Sequence, residues 1–297
     1  MNPITKITGA LRAAVNHPVN RHRKFKAALE YGFIQIAARL VPGDVCVEFP
    51  NHTRLLVSPH MKGAAHYITP RLCEFEEMSF VMHFLQADDL FADVGANVGA
   101  FTIMAAGVAS ACVVAFEASP DTYAMLLCNI RLNDFQNRIK AIHAAVGRTE
   151  GTAQFSVGLG TENGVATGAT ASNSVSVRMT TLDKELAGNP PDLLKVDVEG
   201  FETEVFAGAA NTLRNPKLKA IIVERDNLGA RYGFDEESLH REICECDFIG
   251  CNYEPFKRRL FEVGGGTRGN IIYVRNLVAA NERLSAAPPF TLDDLRC

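Results

Sequence analysis

The segment Asp93-Val-Gly95-Ala-Asn97-Val-Gly99-Ala-Phe101 constrains this chain more than any other. A short apolar run from Leu90 leads into it, and small and apolar residues follow over positions 100–108. Glycines at such a junction let the backbone turn sharply and approach a ligand closely. A strand that passes into a helix through a glycine turn belongs in an open α/β sheet, where ligands bind beyond the carboxyl ends of the strands. Residues 94–116 are 23 positions without a charge, long enough to cross a bilayer. Gly95, Asn97, Gly99, Gly107 and Ser110 punctuate them, and Asp93 and Glu117 bound them. The stretch therefore divides into strand, turn, helix and strand instead of one membrane span.

The same alternation continues. Strands are expected over 90–94, 112–116, 139–145, 175–179, 193–198, 220–224 and 271–274, with helices over 100–108, 120–133, 201–214 and 236–245. Ser119, Pro120 and Asp121 form a helix start: cap, first-turn proline and first-turn acid. Alternating strands and helices predict a mostly parallel α/β sheet with helices on both faces, the Rossmann-like architecture. Residues 1–40 read as helix, with Leu29, Phe33, Ile36 and Leu40 on one side, until Pro42-Gly43 stops it. Segments 45–49 and 54–57 flank the turn-rich Pro50-Asn51-His52 as a β-hairpin, and 74–85 reads as a helix. Three parts follow: an N-terminal helical and hairpin extension (1–87), the α/β domain (88–276) and a peripheral tail (277–297).

Composition limits the function classes. Apolar residues at 47% and charged residues at 22% suit a globular chain with a real core. Residues 1–40 hold seven lysines and arginines against one acid, Glu30, whereas the other 257 residues hold 23 basic and 33 acidic side chains. An acidic body argues against a general nucleic-acid binder. The basic start could pack its Leu29/Phe33/Ile36 side on the domain, or act as a flap or docking helix for an anionic acceptor or surface. Eight scattered cysteines, with Cys112 and Cys128 inside apolar or helix-like runs, read as buried thiols of a reducing, cytoplasmic compartment.

The glycine loop also selects a cofactor. Glu117 closes the strand after the loop, 22 positions beyond Gly95, where an acid can accept hydrogen bonds from both ribose hydroxyls. The dinucleotide fingerprint has a glycine where this chain has Asn97, and that glycine is what admits a pyrophosphate. Asp93 adds negative charge beside the loop, which disfavours phosphates and suits a ligand carrying an ammonium and a sulfonium group. S-adenosylmethionine carries both, plus a ribose. An NAD(P)-dependent sugar oxidoreductase is the nearest enzymatic alternative, disfavoured by Asn97 and by the lack of an obvious Tyr-x-x-x-Lys pair. A non-catalytic cofactor-binding or scaffold protein is the other.

A second cluster, Lys195-Val-Asp197-Val-Glu199, places three charges in alternation at the end of an apolar strand. Unpaired buried charge is expensive, so a site at the sheet edge is expected there. Taken in order, Asp93–Phe101, Ala115-Phe-Glu117-Ala-Ser-Pro120, Asn129-Ile-Arg-Leu-Asn133, Ala144-Ala-Val-Gly147, Thr181-Leu-Asp183 and Leu194–Glu202 resemble the FkbM family of S-adenosylmethionine-dependent methyltransferases. The resemblance implies a class I methyltransferase sheet of seven strands, the last antiparallel, and methylation of hydroxyls, often on sugars or natural products. It implies that Gly95 and its loop, with Asp93, Asn97 and Gly99, hold the methionine end and that Glu117 holds the ribose. Ala144 or Ala145 would meet the adenine through the backbone. Asp197 would lie beside the methionine amine and the transferring methyl. Ala118 stands where the family often has proline, so a looser turn is expected there.

Asp197, then Glu224 at the end of the 220–224 strand, are the candidates for removing the acceptor's hydroxyl proton. Tyr67, His66 and Glu77 are candidates for the acceptor pocket. Asn189-Pro-Pro-Asp192 precedes its strand and lacks the aromatic residue of amino-group methyltransferases, so it reads as a loop. His240, Cys244, Cys246 and Cys251 lack the usual zinc spacing, and no metal is expected. His143, inside a strand, reads as a core histidine.

Overall fold

The computed structural model describes residues 3–40, 43–58, 67–68, 71–156, 163–166, 173–264 and 266–297. The chain opens with two helices, α1 (Pro3–Asn16) and α2 (Lys24–Leu40), separated at Pro18, which cannot continue a helix from its interior. The hairpin β1 (Val45–Glu48) and β2 (Arg54–Val57) follows, then α3 (Phe75–Phe84). The α/β body runs β3 (Leu90–Val94), α4 (Ala100–Gly107), β4 (Cys112–Glu117), α5 (Pro120–Leu132), β5 (Ile139–His143), β6 (Ala145–Val146), β7 (Gly151–Ser156) and β8 (Ser174–Thr180). It continues through α6 (Leu182–Leu186), β9 (Leu193–Val196), α7 (Glu202–Ala207), α8 (Ala210–Arg214), β10 (Ala220–Arg225) and α9 (Glu236–Glu245). Strands β11 (Ile249–Glu254), β12 (Arg259–Glu262) and β13 (Gly269–Val274), helix α10 (Leu277–Ala286) and a two-residue hairpin, β14 (Thr291–Leu292) and β15 (Leu295–Arg296), complete it.

Eight strands form one sheet in the order β12-β11-β13-β10-β9-β3-β4-β5. Strands β10, β9, β3, β4 and β5 are parallel, and β13 is inserted antiparallel between β10 and β11. This is the expected Rossmann-like sheet with one antiparallel insertion, enlarged by the β12 edge strand. Two of its strands were not legible: Gly250 and Asn252 interrupt the apolar pattern of β11, and only Leu260 is buried in β12. The expected strand over 175–179 forms, but in a separate three-stranded sheet, β6-β8-β7. The expected strand 139–145 divides between the two sheets.

The sheet is buried on both faces, as a parallel sheet must be. Alternate residues of β10 show it. Ala220 and Ile222 join a core with Phe80, Phe84, Ile103, Met104 and Leu126, whereas Ile221 and Val223 join a second core with Val205, Phe206, Leu239 and Ile243. The C-terminal tail is not peripheral: Leu284, Phe290, Leu292 and Leu295 are buried in the first core. Their apolar side chains anchor the segment despite Pro288-Pro289.

Two further expectations are corrected. Helix α2 buries Ala27 and Tyr31, while Phe25, Leu29, Phe33 and Ile36 are exposed, so the apolar side faces away from the body. Cys112 and Cys128 are exposed rather than buried, Cys112 as the first residue of its strand and Cys128 on the outer side of α5. No helix of the described residues is long and apolar enough to cross a membrane.

The N-terminal hairpin is fixed to the body through two asparagines one helical turn apart. The buried Asn129 accepts from the Leu56 N–H at 2.6 Å and donates to the carbonyls of Leu56 (3.0 Å) and Val98 (2.8 Å). Asn133 bridges the N–H and carbonyl of Arg54 in the same way, at 2.8 and 2.7 Å. Together they satisfy the free edge of β2, which would otherwise present unpaired backbone groups. Replacing Asn129 by alanine strands three backbone groups and is expected to destabilise the protein by about 2–4 kcal/mol. Chemical denaturation checks this, and a loss below about 0.5 kcal/mol would show that the bridge does not hold the hairpin.

Candidate active site

The turn after β3 is built from three left-handed residues, Gly95 (φ 81°), Asn97 (φ 54°) and Gly99 (φ 95°). Asparagine tolerates this conformation, which explains how Asn97 serves where a glycine would. A Cβ on Gly95 would lie 1.8 Å from the carbonyl oxygen of Asp197, so the β3 and β9 turns touch only because residue 95 has no side chain. The Gly95 and Ala96 N–H groups both donate to the Phe116 carbonyl, at 3.0 and 2.9 Å. The three strand ends are thereby tied together.

Glu117 ends β4 in a buried position. One carboxylate oxygen accepts from the Ser119 N–H at 2.7 Å and the other from the Asn97 N–H at 2.9 Å. Burial pushes this carboxyl up to about 7, against the pull of those backbone donors. Each oxygen still has a lone pair for a ligand hydroxyl.

Across the β3 turn lies a carboxylate cluster. Buried Lys195 donates to Asp197 at 2.7 Å and stands 4.6 Å from the centre of the Phe101 ring. Burial alone would lower its ammonium, but Asp197, Glu74 and Asp93 hold it well above the ordinary range. Burial also raises the surrounding acids: Glu74 to about 7, despite Lys195 and a 2.9 Å bond from Asn270, and Glu224 to about 9, with Asp197, Glu199 and Glu202 adding to the rise. One Glu224 oxygen is buried without a hydrogen-bond partner. Asp93 is fully buried. One of its oxygens accepts from Thr102 at 2.6 Å and the other is unpartnered, and burial raises it too.

These groups surround a cavity of about 310 Å³ along the carboxyl edge of the sheet. Gly95, Asn97, Glu117, Ala118, Ala144, Asp197 and Glu224 all line it. Asp93 and Gly99 do not: they build the turn behind the wall, Gly99 against Leu126 and Asp93 against Thr102. Of the acceptor-pocket candidates, Tyr67 lines the cavity, Glu77 does not, and His66 lies outside the described residues. Glu74 and Cys73 line it instead, together with Phe155, Val165 and Phe201. Three acids, Glu74, Glu76 and Glu77, begin α3, and nothing in their spacing singles out the one that faces inward.

Other candidates separate from the site. His143 is exposed, stacking on Tyr123 and bonding the Ala118 carbonyl, because β5 is the sheet's edge strand. Arg225 turns to the opposite face from Glu224 and pairs with Glu237 at 2.7 Å. Among the described residues no cluster of three or more metal-ligating side chains forms; His240 and Cys244 are neighbours on α9, with His240 bonded to Tyr273.

The residues fit S-adenosylmethionine. Glu117 can accept from a ribose, Phe116, Ala118 and Ala144–Val146 offer an apolar slot for a base, and the acid cluster suits a ligand with positive charge. Fold and site define a cofactor-binding α/β enzyme. The methyltransferase FkbM domain model matches residues 93–249, more than half of the chain, and the chain belongs to this family of methyltransferases. The hexuronic acid methyltransferase of Haloferax volcanii is 28% identical over 142 residues, which span 47% of this chain and 56% of that protein. Among solved structures, precorrin-6y C5,15-methyltransferase of Geobacter metallireducens aligns at 12% identity and a TM-score of 0.39, covering 68% of this chain and 87% of that one. M. jannaschii TYW2 in complex with AdoMet aligns at 13% identity and 0.41, covering 78% and 84%.

The raised acids give the ligand-free protein a characteristic pH dependence. A carboxyl whose folded value lies above its ordinary 4.5 binds a proton that the unfolded chain has released. Stability therefore falls as pH rises, from about 4.5 through 7 for Glu74, Glu117 and Glu202, and on through 9 for Glu224. The melting temperature of ligand-free protein is expected to drop between pH 6 and pH 9, and Glu224→Gln to flatten the part above pH 7. An unchanged slope in the variant would show that Glu224 does not titrate there.

Proposed function

We propose that the protein transfers a methyl group from S-adenosylmethionine to a hydroxyl of a sugar, glycan or natural-product acceptor, leaving S-adenosylhomocysteine. The observation that carries this reading is the meeting of Asp197, Glu224 and Glu74 in one cavity with Glu117, across the β3 turn. Hydrogen-bond acceptors on that side suit an acceptor rich in hydroxyl donors. The saccharide methyltransferase among the relatives supports the same class. Membership of a methyltransferase family replaces the oxidoreductase alternative, in keeping with the asparagine at position 97.

S-adenosylmethionine supplies a methyl already activated on a sulfonium, so the protein's task is alignment and proton removal. Glu117 would receive the ribose, and the backbone of the Gly95 turn with the wall at Ala118 and Ala144 would hold the nucleoside. Asp197, with one oxygen held by Lys195, takes the acceptor proton. Glu224, pushed up to about 9, is neutral at physiological pH and donates a hydrogen bond to the acceptor. Residues 1–87 supply the acceptor side through Tyr67, Cys73 and Glu74, beside the methyltransferase domain of residues 88–276.

The test is release of S-adenosylhomocysteine from the purified protein with a panel of hydroxylated saccharides. Asp197→Asn is expected to lower kcat, measured at saturating cofactor, by about 10²–10⁴, in addition to any weakening of cofactor binding. Wild-type turnover in that variant would remove Asp197 from the base role. Cofactor binding by the wild type with no release across the panel would favour a non-catalytic protein.

A further inference from the structure

Helix α2 carries four of the seven large apolar side chains that the described residues expose. Phe25, Leu29, Phe33 and Ile36 are 78%, 60%, 73% and 58% exposed. Their spacing of four, four and three places them in one stripe along the helix. The opposite side is anchored: Ala27 and Tyr31 are buried, and the buried Arg23 is ion-paired with both Glu30 and Asp293. The helix is therefore held in an orientation that presents the stripe outward. A monomeric soluble protein has no reason to fix Phe25 and Phe33 in water.

Charge identifies what covers the stripe. Lys24 and Lys26 flank Phe25, and both are exposed. Arg21 lies 4.0 Å from the ring of Phe256, itself partly exposed, and extends the basic apolar surface at the start of the helix. Arg12, Arg21, Lys24 and Lys26 are all exposed, whereas the 257 residues after position 40 hold ten more acids than bases. Only the α1–α2 end would be attracted to an anionic plane; the body would be repelled by it. A stripe of phenylalanine, leucine and isoleucine bordered by lysine is the chemistry of an interfacial helix, lying in a lipid headgroup layer without crossing it.

We propose that α2 docks the protein on an anionic lipid surface, with Phe25, Leu29, Phe33 and Ile36 inserted and Lys24 and Lys26 on the headgroups. The same end of the chain packs next to a residue of the cavity: His17, between α1 and α2, lies edge-on against Phe75 at 6.0 Å, and Phe75 follows the cavity residue Glu74. Docking thus brings the site close to a membrane-borne acceptor. The proposal itself does not depend on the methyl-transfer chemistry.

Vesicle flotation of the full chain tests it, using phosphatidylcholine vesicles with and without roughly 30% phosphatidylglycerol. The wild type is expected to float with the anionic vesicles. Partition should fall about tenfold or more on neutral vesicles, in F25Q/F33Q and in K24E/K26E. All four positions are exposed, so both variants should melt at the wild-type temperature. Failure of the wild type to float, or equal flotation of both variants, overturns the proposal. A wild-type dimer that F25Q/F33Q splits into monomers also overturns it, and assigns the stripe to a second copy of the chain.

Discussion

The site is organised around Lys195, a buried ammonium set among Asp93, Asp197 and Glu74. Burying a charge is tolerable only when it is paired, and here three acids share one cation, with Glu224 close by. Burial pushes Asp93, Glu74 and Glu224 toward their neutral forms, with the neighbouring acids adding to the rise, and a ligand that brings positive charge relieves it. The same imbalance disfavours phosphates, so the local field separates a sulfonium cofactor from a dinucleotide before any individual contact does so.

That field depends on backbone geometry. The β3 and β9 turns can touch only with glycine at position 95, and their contact brings Asp197 to the edge of the cofactor cavity. Gly200, also left-handed at φ 93°, does the same for the next turn, where a Cβ would meet the Leu228 carbonyl at 2.5 Å. Glu202 then accepts from the Val198 and Gly200 N–H groups, at 3.0 and 3.1 Å, and locks that turn. The segment Lys195–Glu202 thus combines a charge pair, a glycine contact and a carboxylate cap in eight residues.

These devices are local, and local devices were legible. The β3 turn, the β4 acid and the charged end of β9 stand out because each breaks an apolar run with residues that a core would exclude. What could not be read depends on long-range packing. Glu74 lies 196 positions from its partner Asn270, and three neighbouring acids left its role unmarked. Strand β11 was hidden by Gly250 and Asn252, which a strand inside a large sheet tolerates. The apolar side of α2 was visible, but its direction was not. A stripe of that kind normally packs inward, and here the burial of Ala27 and Tyr31 and the ion pair of Arg23 with Asp293 turn it outward.

On the proposed readings, the acidic body and the basic start serve as two surfaces: a cation-seeking cavity and an apolar, lysine-flanked docking helix. The cavity's affinity for a cationic nucleoside is read by calorimetric titration of S-adenosylmethionine at pH 8. There Glu117, pushed up to about 7 by burial, is ionised and can receive the ribose as a carboxylate. Binding of the cofactor ribose by the Glu117 carboxylate predicts a single-site isotherm for the wild type and an affinity about tenfold to a hundredfold weaker for Glu117→Gln, the value of a charged hydrogen bond. Equal affinity in the variant, or no binding by the wild type, would contradict it.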